Sequence, residues 1–141
     1  MVSLVVLAVG MLGVAALYIE SLRSGSMSVS YTHAVTLAAD MADRIRANST
    51  GRNSYIGAGV GNGTAGGNNN CVGGIADCTP AQMALDDLFW WYEDVKNRMP
   101  VGRSASVAVV NAAPIDTYTI MVAWPERGQA QAVNYVLTFS L

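Results

Sequence analysis

Histidine occurs once in these 141 residues, cysteine twice and proline four times, and only 13% of positions are charged. Each scarcity removes a class of function. The lone histidine, His33, has no serine or cysteine partner evident in the sequence with which to form a nucleophile and base, so a membrane-anchored enzyme is disfavoured. Cys71 and Cys78 are not spaced as C-x-x-C and lie far from His33, which leaves metal and redox chemistry without a motif. No catalytic residue, metal ligand or cofactor is assigned. Eight Lys and Arg against ten Asp and Glu give a net charge of −2, without the broad basic footprint that a phosphate backbone requires. Nucleic acid is not an expected partner.

Charge is missing altogether from Met1 to Ile19, MVSLVVLAVGMLGVAALYI. As a helix this stretch spans roughly 28 Å, the thickness of a bilayer core. It reads as a single membrane-spanning helix. A removable secretory signal is the rival, but no basic residue precedes the stretch and no clear small-x-small site follows it. The helical pattern also runs on through Glu20–Asn48 without proline, so the two parts form one rod of about 70 Å at 1.5 Å per residue. A rod whose first half is apolar all round must be enclosed by lipid or by other helices. Val2, Leu4, Val5, Leu7, Val9, Gly10, Leu12 and Gly13 are the expected packing positions. Gly10 and Gly13 each cost about 1 kcal/mol relative to alanine in a helix interior. They allow close helix packing or, alternatively, mark a point where the helix bends.

From Tyr18 the pattern turns amphipathic. Leu22, Val29, Val35, Leu37, Ala38, Met41, Ala42 and Ile45 supply an apolar side to cradle a head domain. Asp40 and Arg44 are a stabilising pair four apart, and Arg44 and Arg46 complement the helix C-terminal dipole. Asp43 and Arg46 belong either to a solvated helix end or to a contact with a neighbouring subunit. The expected organisation is a helix over 1–19 enclosed by lipid or by other helices, its amphipathic continuation over 20–48, and a head over 49–141. That head is large enough for one small domain.

Thr50–Asp77 holds nine of the fourteen glycines and the run Asn68-Asn69-Asn70. Such a stretch buries too little side chain to offset its ordering entropy, so an exposed, mobile loop is expected over 49–78. Gly61 to Gly66 matches G-x-G-x-x-G, but neither a preceding strand nor a following helix gives the match meaning. Asn48-Ser49-Thr50 and Asn62-Gly63-Thr64 fit the N-glycosylation pattern and lend weak support to surface exposure. Beside a membrane anchor, Cys71 and Cys78 read as a structural disulfide in an oxidising compartment. Closing its short loop contributes about 2.5 kcal/mol in the chain-entropy model.

Thr79-Pro80-Ala81-Gln82 is a helix start, with threonine as N-cap, proline in the first position and glutamine to close a capping box. The helix occupies Pro80–Arg98 within a 79–99 segment. Met83, Leu88, Trp91, Tyr92, Val95 and Met99 fall near one face, while Asp86, Asp87, Glu93, Asp94 and Lys96 make much of the solvated face. Leu85, Phe89 and Trp90 widen the apolar sector, and Trp90 either packs in the core or stands at a partner interface. Ser104–Val110, Thr117–Trp124 and Ala132–Ser140 alternate as strands. They predict an antiparallel meander over 104–140 on the amphipathic half of the rod, with a fourth strand from Arg52–Ile56 left open. The fold class is α+β: a long N-terminal helix packed on a small antiparallel sheet with a second helix.

Three words in the sequence, VSLVVLAVGMLGVAAL at Val2–Leu17, LAADMADRIRAN at Leu37–Asn48 and CTPAQMALDDLFWW at Cys78–Trp91, resemble the type IV pilins, most closely minor pilins of the PilV type. The first is shared by pilins and pseudopilins; the other two narrow the subtype. The resemblance implies a single-pass inner-membrane protein, cleaved by a prepilin peptidase, with its head in the periplasm. Its helix then packs into the centre of a pilus at the cell surface. Implied partners are membrane lipid before assembly, the inner-membrane assembly platform, other minor pilins, the major pilin and a large tip adhesin. The implied task is pilus initiation or a place in the tip complex. The family also carries a basic leader and a G-F-T-L-I-E-like motif, whose glutamate helps subunits register. This chain opens after that motif, no residue here inherits that role, and Glu20 lies too far along the helix. A type II secretion pseudopilin, whose head often binds calcium through clustered acids, is the near alternative. An adhesive or DNA-binding head using the Gly/Asn loop or Arg98 and Arg103 is a further one.

Overall fold

The computed structural model describes residues 2–55, 59–60, 66–72, 77–110 and 115–141. The G-x-G-x-x-G run, apart from Gly66, and the Asn62 glycosylation triplet lie outside the described residues. Helix α1 covers Val2–Ala47 and α2 covers Pro80–Arg98. Strands β1 Gly59–Val60, β2 Ser104–Val110, β3 Thr117–Trp124 and β4 Val133–Ser140 form one sheet in that order, antiparallel at every step. This is the α+β arrangement of a pilin: a long first helix, a second helix and an antiparallel sheet.

The chain divides into two compact units, Met1–Thr32 and His33–Leu141. The first is helical from Val2 onward, and none of its described large apolar side chains is buried: Val2, Leu12 and Leu17 are each more than 70% exposed. Its apolar window has a mean hydropathy of 2.5, and the helix is long and apolar enough to cross a membrane.

In the second unit, α1 contributes Ala34, Leu37, Ala38, Met41, Ala42 and Ile45, all buried. Their three-and-four spacing is one face of a helix. Leu22 and Val29, grouped with this stripe on sequence pattern, are instead more than half exposed. The buried face of α2 is Ala84, Leu88, Trp91 and Val95, continued by Met99 at its C-cap, and β3 supplies Tyr118, Ile120, Val122 and Trp124. Enclosing each large side chain contributes roughly 1.5–3 kcal/mol. Trp91 also donates its indole N–H to the Leu37 carbonyl at 2.8 Å, which ties α2 to α1 with its polar atom satisfied.

The predicted cap of α2 is present. Thr79 Oγ1 accepts from the Gln82 N–H, and the Gln82 side chain accepts from the Thr79 N–H at 2.9 Å. The described part of Arg52–Ile56 supplies no fourth strand: Arg52–Tyr55 is a turn of 3-10 helix, and the two-residue β1 takes the edge beside β2. The reason is local. Gly51 donates to Asn48 and Ser54 donates to Gly51, which winds the chain, and a Cβ at Gly51 would run into the Pro80 carbonyl.

Candidate functional site

Asp86 and Asp87, read from the sequence as solvated, are buried, at 0% and 8% exposure. A buried carboxylate is tolerable only when its oxygens are bonded. Each of these four oxygens has a donor. Asp87 Oδ2 accepts from the Tyr55 hydroxyl at 2.5 Å and Oδ1 from Arg44 Nη1 at 3.3 Å. Asp86 Oδ1 accepts from the Asn69 N–H at 2.7 Å and Oδ2 from the Val72 N–H at 3.3 Å. Adjacent acids on one helix thus fasten different partners: Asp87 holds α1 and the 3-10 turn, and Asp86 holds the loop that carries Cys71.

Around this pair the contacts multiply. Arg44 also binds Asp40 at 2.9 Å. Burial works against its charge, but the carboxylates of Asp40 and Asp87 outweigh it and push its pKa up. The Tyr55 phenol is raised far above its ordinary value, first by burial and then by its bond to Asp87. Asn48 Nδ2 donates to the Pro80 carbonyl at 2.8 Å, joining the end of α1 to the start of α2. Gly67 N–H donates to the Leu85 carbonyl, and Asn69 Nδ2 donates to the Gln82 carbonyl at 3.2 Å. Gly66, at φ 67°, runs so close to α2 that a Cβ there would meet the Leu85 carbonyl. The described part of the Gly/Asn stretch is therefore fastened along α2. Cys71 and Cys78 are joined in a disulfide with Cα atoms 5.8 Å apart, closing that loop just before the α2 cap.

With every Asp86 and Asp87 oxygen bonded to a protein donor, this network's chemistry is structural: it fixes a loop and a helix pair. The surfaces left for partners lie outside it. Val2, Leu4, Val5, Leu7, Val9 and Leu12 are all more than 60% exposed, and among the described residues a Cβ added at Gly10 or Gly13 would meet nothing within 4 Å. Asp43 and Arg46 pair at 3.0 Å on one turn of α1, and the Arg46 guanidinium also lies 4.7 Å from the centre of the Phe139 ring on β4. Trp90 is 42% exposed and meets Phe89 edge to face at 5.4 Å, whereas its neighbour Trp91 is fully buried.

Sequence reasoning assigns no role to Tyr55 or Asn69 and puts Asp86 and Asp87 on the solvated face. One signal was present for Asp87: it falls three residues after Ala84 and four before Trp91, which is the spacing of the buried stripe. Tyr55 and Asn69 sit in segments without periodicity, and nothing local marks them.

The sequence model of the family described as Tt1218-like, type IV pilin Tt1218, matches residues 16–89, just over half of the chain. The match takes in the later part of α1, the disulfide loop and the first half of α2, and thus every residue of the Asp86 and Asp87 network. Neither the curated proteins nor the solved structures include a match to this chain. From the shared segment and the fold built on it, the chain belongs to the Tt1218-like type IV pilin family.

Proposed function

We propose that the chain is a minor subunit of a type IV pilus that takes part in starting the fibre or in its tip complex. The observation that carries this reading is the exposed, uncharged run from Val2 to Ile19 at the head of a family-matched pilin chain. Nothing in its own unit covers that surface. Before assembly it lies in the inner membrane with the head in the periplasm; in the fibre it packs against the corresponding helices of other pilins. Both surroundings are apolar, so the transfer gains little hydrophobic energy and close packing must supply the preference. Gly10 and Gly13, which pack against nothing among the described residues, suit that task.

The minor-pilin subtype rests on the two later words of the sequence. LAADMADRIRAN and CTPAQMALDDLFWW meet in space through Arg44 with Asp87, Trp91 with Leu37, and Asn48 with Pro80. They are two sides of one seam. The proposed partners are the major pilin, other minor pilins, the assembly platform and a tip adhesin, with Asp43, Arg46 and Trp90 as contact residues. The role is structural.

Deleting the gene in a pilus-forming cell and counting pili by electron microscopy tests the proposal. Loss of most fibres, restored by the chain in trans at low level, is expected. Normal pilus number and length in the deletion strain would refute a role in initiation.

A further inference from the structure

Strand β4 ends the sheet, and among the described residues no segment pairs with its outer edge. Its open groups can be identified. Asp116 and Leu141 exchange both backbone bonds, each N–H donating to the other's carbonyl at 3.0 Å. Such pairs alternate along an antiparallel ladder, and the register carries the pattern through Phe139, Leu137, Tyr135 and Val133. The N–H and C=O groups of Asn134, Val136, Thr138 and Ser140 therefore point to the open side.

Sheet edges in native proteins are usually protected by brevity, by charge, by proline or by a bulge. β4 has none of these devices. It is eight residues long, VNYVLTFS, without a charged residue or proline, and its pairing with β3 runs unbroken from Val133 to Ser140. A second, independent feature points the same way. The core-facing row Val133, Tyr135, Leu137 and Phe139 stays only half-buried, while the facing row on β3 is buried.

We infer that the β4 edge receives an extended strand from a different polypeptide, which pairs with the backbone of Asn134 to Ser140 and covers the half-buried row with alternate apolar side chains. Backbone groups repeating at strand spacing fit only an extended chain. A second copy is the poorer occupant on two grounds. Among the described residues the opposite edge is stepped: β1 pairs only with Ala105 and Ser106, so Val107 to Val110 of β2 stand beside it without a partner on that side and no straight run as long as β4 is offered. The remaining option, β4 against β4, makes a closed two-fold pair, whereas filament subunits join head to tail. An uncharged edge likewise favours an uncharged segment. The inference draws on the proposed pilus role only for where the partner is found.

Photo-crosslinking in intact pilus-forming cells tests this, with a benzophenone amino acid placed in turn at positions 134, 136 and 138 of the full chain. Side chains directly across a strand pair lie about 4.5–5.5 Å apart at Cβ, within the probe's reach. Adducts that map by mass spectrometry to alternate residues of one segment in another pilus subunit are expected. Val136→Pro removes an outward N–H and no rung of the β3 ladder, so it lowers the yield from positions 134 and 138 on the order of tenfold with the fold retained. Thr138→Lys does the same to the yield from position 134 without touching the backbone. Adducts between two β4 strands, or none from any of the three positions, overturn the inference. A chain crosslinked as expected in the membrane but missing from sheared pili upholds it and refutes the pilus role; a chain present in pili without such adducts does the reverse.

Discussion

Replacing Asp87 with alanine removes the acceptor for two donors at once, and the structure separates their weights. Tyr55 is fully buried, so its O–H is left without an acceptor, the oxygen keeping only the Asn48 Nδ2 donor at 3.5 Å, at a cost of about 1–3 kcal/mol. Arg44 is 25% exposed and keeps Asp40 at 2.9 Å, so its loss is discounted to about 0.5–1 kcal/mol. Removing a buried carboxylate recovers part of its desolvation cost, which leaves a net loss of about 1–3 kcal/mol. That is a large share of a typical stability of about 5–15 kcal/mol. Urea unfolding of the chain in detergent micelles, followed by tryptophan fluorescence, reads the change, since Trp91 and Trp124 are buried. Asp87→Asn keeps an acceptor and is expected to lose about 1 kcal/mol. A double-mutant cycle of Asp87→Ala with Tyr55→Phe should show a coupling of about 1–2 kcal/mol. A loss below about 0.5 kcal/mol for Asp87→Ala, or no coupling, would refute the reading of Asp87 as the tie between the two helices and the turn.

Asp86→Ala should free the Asn69 and Val72 amides, so that hydrogen exchange there accelerates while the amides of β3 remain protected; unchanged exchange would remove Asp86 from its assigned role. Stability should hold in mild alkali and then fall. The neutral Tyr55 phenol has a folded pKa raised above its ordinary 10.0, so its contribution is full below that value and is lost as pH climbs toward the folded one. Tyr118, raised by its own burial, acts in the same sense. The urea midpoint should therefore drop above about pH 10, less steeply in Tyr55→Phe, and a flat profile would contradict the assignment. Gly66→Ala combines a left-handed backbone with a Cβ aimed at the Leu85 carbonyl, so a loss of about 1–3 kcal/mol or release of the loop is expected by urea unfolding and proteolysis at 66–72.

What the sequence revealed was local. The α2 cap needs only Thr79, Pro80 and Gln82; the strands need only their own alternation, and β2 and β3 begin and end where the pattern placed them. The apolar run needs no partner to be read. The buried acids were hidden because their donors lie 14 to 43 residues away, so that Asp86 and Asp87 look like any polar helix surface until the fold brings Val72, Asn69, Tyr55 and Arg44 to them. The same distance effect explains the Gly/Asn stretch. Its composition argues for a loop, but three of the hydrogen bonds that fasten 67–72 to α2, from Gly67, Asn69 and Val72, come from backbone amides, which carry no sequence signature. At Arg52–Tyr55 the winding is set by Asn48 and Gly51 before it, rather than by the residues themselves.

The central claim is that the apolar helix leaves lipid and enters a fibre. Immunogold labelling of pili sheared from cells that carry the chain with an epitope after Leu141 tests it most directly. Sparse gold on the fibres, concentrated at their ends, is the predicted result, with the remaining chain in the inner-membrane fraction. Fully formed pili without label, and all of the chain retained in the membrane, would contradict it.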